Sequence, residues 1–228
     1  MADETKIFKL QLLSDEVVRN PNITSKAFVA FAKLCEMYGK RKTETLEVDH
    51  KAFKGYLSIS DNRSFKAVLH NLYENNLILN KIETLPRRSA LEIQINKEMT
   101  PLHNKNMFTQ LDIRLIDKKI LDEIGTIGIR LMYYYESRIN RLELYKDHAY
   151  ASIETISNET GFAKETIDKY NKILLKHKLI WIKKFKLEHV GWEVDGNYID
   201  FARYANHTYV KVENIPKLLV QMYQKAGF

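Results

Sequence analysis

The chain repeats its order of apolar positions. At an offset of 102 residues, Leu77-Ile78-Leu79 falls on Leu179-Ile180-Trp181, Phe65 on Ile167, Val68 on Tyr170 and Leu72 on Leu174. Upstream, Ile7-Phe8-Lys9-Leu10 is similar to Met107-Phe108-Thr109-Gln110-Leu111 at nearly the same spacing. Identities are few, and the shared order of elements is the stronger signal. A duplicated chain of 228 residues is expected to fold as two similar units, each near the ordinary size of a small domain. The division read from the sequence is 6–97 for an N-terminal domain, 98–106 for a linker and 107–228 for a C-terminal domain with an extra C-terminal helix. The linker carries Pro101, His103 and two asparagines without periodicity.

In the first unit Phe28, Phe31, Cys35 and Tyr38 recur at three- and four-residue steps. They predict a helix over 25–38, with Gly39 placed to stop it. Cys35 on that stripe reads as a packed side chain. Asp49 is a candidate cap for a helix over 50–57, and Asp61 or Ser60 for the next, where Phe65, Val68, Leu69 and Leu72 form one apolar face. Residues 77–82 and 90–95 read as strands joined by a turn at Pro86-Arg87-Arg88-Ser89, with Leu91, Ile93 and Ile95 facing inward. In the second unit an apolar helix is expected over 127–144. Ser152 then caps 153–160, Gly161 supplies a left-handed corner, and 164–177 buries Ile167, Tyr170, Ile173 and Leu174. Residues 179–187 and 197–201 are expected to pair as a hairpin across Gly191 and Asp195-Gly196. The fold class is mainly α with small β-hairpins (α+β).

Residues 152–167 (SIETISNETGFAKETI), closing on Leu179-Ile180, closely resemble the helix-turn-helix of the winged-helix family. The first half resembles a looser copy, with Ser58-Ile59-Ser60-Asp61-Asn62 in place of the glycine corner and one residue more before the second helix. The resemblance spans 6–201. Two winged helices in tandem, each opened by a short apolar strand, resemble the theta-type replication initiators of plasmids and phages. The resemblance implies a double-stranded DNA partner bound at repeated or inverted origin sites, and recruitment of host replication proteins. The same scaffold also serves winged-helix transcriptional regulators, and protein–protein scaffolds that bind no DNA.

The charge is placed to suit a polyanion. The chain is net +7, and the excess lies in two stretches. Between Arg63 and Arg88 five basic residues face two acids, and between Ala163 and Lys186 eight lysines face two acids. In a helix-turn-helix the second helix enters the major groove and presents its leading side chains to base edges. Candidate DNA contacts are therefore Asn62, Arg63, Ser64 and Lys66 in the first unit, and Lys164, Thr166, Lys169, Asn171 and Lys172 in the second. Arg63 has the planar fork for bidentate guanine readout; the alternative is a phosphate contact only. Arg87 and Arg88 sit at one expected wing tip, and Lys184 and Lys186 on the strand leading to the other. Alternation puts Lys183 with Trp181 and Phe185 on the opposite face of that strand.

Enzyme readings lack their parts. The seven histidines include neither a His-x-His nor a His-x-x-x-His pair, and no Walker-type phosphate loop occurs. Tyr133-Tyr134-Tyr135 reads as core or interface, because consecutive helical residues diverge by about 100°. No metal site and no cofactor are expected. The lone Cys35, the charged start and the lack of a long apolar stretch predict a cytoplasmic protein that does not enter a membrane. Ile215, Leu218, Leu219, Met222 and Tyr223 form an apolar stripe that either covers the second domain or joins a second copy of the chain as a homodimer.

Overall fold

The computed structural model describes residues 8–143, 146–186, 190–194, 197–201 and 204–225, apart from the side chains of 186, 190–194, 197–201, 204 and 205. Among these residues the protein is α+β, with helices carrying the core and strands forming small antiparallel sheets. The first half runs β1 (Lys9–Leu13), a π turn (Ser14–Val18), α1 (Ser25–Arg41), β2 (Thr45–Val48), α2 (His50–Tyr56), α3 (Asn62–Glu74) and β3 (Leu91–Gln94). The second runs β4 (Phe108–Asp112), a 3-10 turn (Ile113–Ile116), α4 (Lys118–Ser137), β5 (Ala149–Tyr150), α5 (Ile153–Thr160) and α6 (Lys164–Lys176). It continues through β6 (Ile180–Lys186), β7 (Val190–Val194), β8 (Asn197–Phe201) and β9 (Tyr204–Val210) to α7 (Asn214–Lys225).

Local chemistry explains most of these boundaries. Thr24, Asp49, Asp61 and Ser152 each accept a hydrogen bond from a first-turn amide of the helix that follows, satisfying donors that have no partner within the helix. Both α3 and α6 are 13 residues long and begin 102 residues apart. The α5–α6 corner turns on Gly161 at φ +72°, and the α2–α3 corner on Ser58 at φ +52°. From there the next cap lies two residues on at Ala163 in the second half, and three on at Asp61 in the first.

Four expectations need correction. Gly39 does not stop α1; a single glycine costs a helix only about 1 kcal/mol, and the helix ends at Arg41 with Lys42 at φ +59°. The helix expected over 127–144 begins instead at Lys118, capped by Asp117, and breaks at Gly125 (φ 70°, ψ 169°). It closes at Ser137, where the Arg138 and Ile139 amides tighten onto the Tyr135 and Glu136 carbonyls at 3.1 Å and Arg141 Nε donates back to Glu136 at 2.6 Å. Residues 77–82 form a single bridge, Ile78 to Ile95, rather than a strand. There the Asn80 side chain replaces the ladder, donating to the Glu92 carbonyl at 2.9 Å and accepting from the Gln94 amide at 2.7 Å. Finally, β8 pairs with β7, while β6 pairs with β9 in full register from Ile180↔Val210 to Lys186↔Tyr204. The β7–β8 hairpin is thus inserted between the two long strands, and the sheet order is β5-β9-β6. The turn expected at Asp195-Gly196 lies outside the described residues.

The two opening strands pair with each other. β1 and β4 run antiparallel, Lys9↔Asp112 through Leu13↔Phe108, with Gln11 Nε2 donating to Gln110 at 3.3 Å and the Ser14 and Thr109 hydroxyls 2.8 Å apart. Both strands show the same exposure pattern, and Leu10, Leu12 and Leu13 join Leu111 in one apolar cluster that continues through α1, α3, α4 and α6. Each helix–helix corner is braced by the other half. Tyr56 and Ser58 donate to the Ile116 carbonyl (2.7 Å) and Asp122 (3.1 Å), while the Pro21 carbonyl presses on Gly161, where a Cβ would lie 2.8 Å away. Arg130, fully buried in α4, donates to the carbonyls of Val18 at the end of the π turn and of Asn20 and Ile23 in the loop before α1. Along α7, Ile215, Leu218 and Met222 are buried against the second half, so this helix covers its own chain. No helix among the described residues is long and apolar enough to cross a membrane.

Candidate nucleic-acid interface

The second helix of each corner presents its leading end to solvent. In α3, Phe65, Val68, Leu69 and Leu72 face the core. That leaves Asn62, Arg63 and Ser64 exposed and Lys66 half-buried. The Asp61 carboxylate accepts the Ser64 amide at 2.7 Å, and this bond holds its pKa below the usual carboxylate range. Asn62 accepts from Lys54 Nζ at 2.9 Å, which brings a lysine of α2 to the same edge.

In α6 the buried stripe is Ile167, Asn171 and Leu174. Lys164, Lys169 and Lys172 are exposed, Thr166 is half-buried, and the helix start at Ala163 has no side-chain cap. Lys164 lies 3.9 Å from Glu154 of α5, so an acid shares the leading edge.

Asn171 corrects the sequence reading. It is only 9% exposed and accepts the Tyr135 hydroxyl at 2.7 Å, so it is a core residue and not a base contact. The signal was present in the sequence: at the 102-residue offset Asn171 stands on Leu69, and it lies four residues after Ile167 and three before Leu174. The neighbouring tyrosines behave alike. Tyr133 donates to the Leu10 carbonyl at 3.2 Å and Tyr134 to Glu159 at 2.5 Å. All three rings are buried, and desolvation pushes their pKa values up. They tie α4 to β1, α5 and α6. Burial likewise pushes the Cys35 thiol up, away from thiolate chemistry.

Arg87 and Arg88 are exposed on the loop before β3. With Asp49, His50 and Lys51 at the start of α2 they line an open cleft of about 340 Å³. Lys184 is exposed on β6, while the side chain of Lys186 lies outside the described residues. On the opposite face of β6, Lys183 Nζ sits 4.6 Å from the Phe185 ring centre and pairs across the sheet with His207. The ring cluster around it escaped the sequence reading because β9 was not recognised as the partner of β6. Among the described residues no group of three His, Cys, Asp or Glu side chains could hold a metal ion. No protein-family model matches the chain, and no curated protein is significantly similar to it.

Proposed function

We propose that this protein binds double-stranded DNA sequence-specifically through two tandem winged helices, and that it initiates plasmid or phage replication at repeated origin sites in the cytoplasm. One observation carries the reading. α3 and α6 are equal in length, occupy equivalent positions after tight corners, and each exposes a polar, lysine- or arginine-bearing leading end while its other face is core. A major groove accommodates such a helix, and its first turns reach base edges. The contact set is Asn62, Arg63, Ser64 and Lys66 on α3 and Lys164, Thr166, Lys169 and Lys172 on α6. Arg87, Arg88, Lys184 and Lys186 grip the flanking backbone, and host replication proteins join the assembled complex. No catalytic residue and no cofactor belong to this reading.

The test is selection of a duplex from random sequence, followed by filter binding across a salt series. Neutralising about six to ten phosphates predicts an affinity loss of about 10³ to 10⁵ between 50 and 200 mM salt. Arg63→Ala should cost about 1–3 kcal/mol and relax preference at one base position, whereas Arg88→Ala should weaken all duplexes alike. Salt-independent affinity, or no selected sequence, refutes the reading.

A further inference from the structure

The β5-β9-β6 sheet has two unlike faces. Its inner face sends Ala149, Ile180, Thr208 and Val210 into the core against α4 and α6. Its outer face is built of rings: Tyr150, Trp181, Phe185, His148, His207 and Tyr209. His148 and His207 stack at 3.9 Å and 8°, Phe185 lies 4.2 Å from His207, and Trp181 lies 5.3 Å from Tyr209. Tyr150 is 62% and Trp181 52% exposed, so these two outer rings meet solvent. Lys183 is exposed among them, and Asp147 borders the patch beside His148 at 3.2 Å.

The fold does not require this. At the corresponding place in the first half, the outer side of β2–β3 carries Thr45, Glu47, Glu92 and Gln94, all exposed and none aromatic. A duplex lying along α6 does not need it either, because α6 packs on the sheet's other side.

We propose that this face is a stacking platform for the unpaired bases of a single-stranded polynucleotide. Bare rings offer π-faces to bases of any sequence, and an adjacent cation answers the phosphate charge; together these are what single-strand binding uses. A protein-binding core is depleted of lysine, whereas among the described side chains of this face Lys183 stands exposed between the rings. Bases inside a duplex are already stacked and cannot reach the platform, so the site is selective for unpaired strand. The inference is independent of the duplex reading.

The experiment uses the full chain and fluorescence anisotropy with end-labelled dU16, rU16 and the selected duplex. Binding of at least one oligomer is expected, and the preference between them assigns the sugar. At about 1–3 kcal/mol per stacked base, Trp181→Ala and Tyr150→Ala should each weaken single-strand binding by roughly 5- to 150-fold, with duplex affinity held within twofold and an unchanged circular dichroism spectrum. Lys169→Ala should do the reverse. Failure of duplex binding with single-strand binding intact sinks only the proposed function. The platform is refuted by no binding to either oligomer, by equal loss for duplex and single strand, or by ring variants that bind normally. It is equally refuted if sedimentation shows self-association that Trp181→Ala abolishes, since the face would then belong to a second copy.

Discussion

Arg130→Met removes the cation at the junction of the two halves, and its cost follows from what the guanidinium touches. The side chain is fully buried, lies 5.7 Å from the Phe28 ring centre and 5.3 Å from that of Phe162, and donates to backbone carbonyls. Asn20 accepts at 2.6 Å, Ile23 accepts closely, and Val18 is 3.4 Å from both Nε and Nη2. Burial alone lowers its pKa from 12.5 to about 10, so holding the charge there costs about 3 kcal/mol. Three charge-assisted contacts, one of them long, offset this with roughly 5–8 kcal/mol. Methionine fills much of the volume but leaves the Val18 and Ile23 carbonyls without their donor, while Asn20 keeps the Ile23 amide at 3.2 Å. The expected net loss is about 2–5 kcal/mol, a large part of the stability of an ordinary domain. Urea unfolding, with the slope compared between variant and parent, measures it. Arg130→Lys should recover part of the loss, since an ammonium can reach only some of the carbonyls. A loss under about 1 kcal/mol for Arg130→Met would refute the carbonyl cage as a stabilising junction.

Asn171→Leu deprives the Tyr135 hydroxyl of its acceptor and should cost about 1–3 kcal/mol in urea unfolding, with duplex affinity unchanged; weaker DNA binding at equal stability would restore Asn171 as a contact. Gly161→Ala puts a Cβ 2.8 Å from the Pro21 carbonyl at φ +72°, so the melting temperature should fall by more than the left-handed penalty of about 1–2 kcal/mol implies. Gly39→Ala, in a helix with open space around it, should instead raise stability by about 0.5–1 kcal/mol; equal effects at the two glycines would contradict the geometry. Burial lowers the pKa of His177 despite Glu123 at 3.1 Å, and burial with His148 and Lys183 lowers that of His207 despite Asp147. Both folded values lie below the ordinary 6.5, so their stabilisation is complete above about pH 6.5 and is lost as pH falls toward the folded values. Urea midpoints measured from pH 8 down to 5.5 should decline, and the decline should shrink in His177→Gln.

Along the chain, much was legible from neighbouring residues alone. Asp49, Asp61 and Ser152 announced helix starts, Gly161 its corner, and the spacing of Phe65, Val68, Leu69 and Leu72 the buried side of α3. These depend on hydrogen bonds and side-chain neighbours within four residues, which the sequence displays directly. The 102-residue offset likewise displayed the equivalence of α3 and α6, and with it the exposed ends that make up the candidate interface. What the sequence could not display was partnership between distant segments. That β1 pairs with β4 rather than within its own half, that β6 passes over β8 to reach β9, and that Arg130 finds three carbonyls more than a hundred residues away are all settled by which edges and cavities the packed helices bring together. Asn171 shows the boundary between the two. Its position on the apolar face was fixed by periodicity, but the Tyr135 hydroxyl that makes a buried amide affordable arrives from another helix, and only the tertiary structure supplies it.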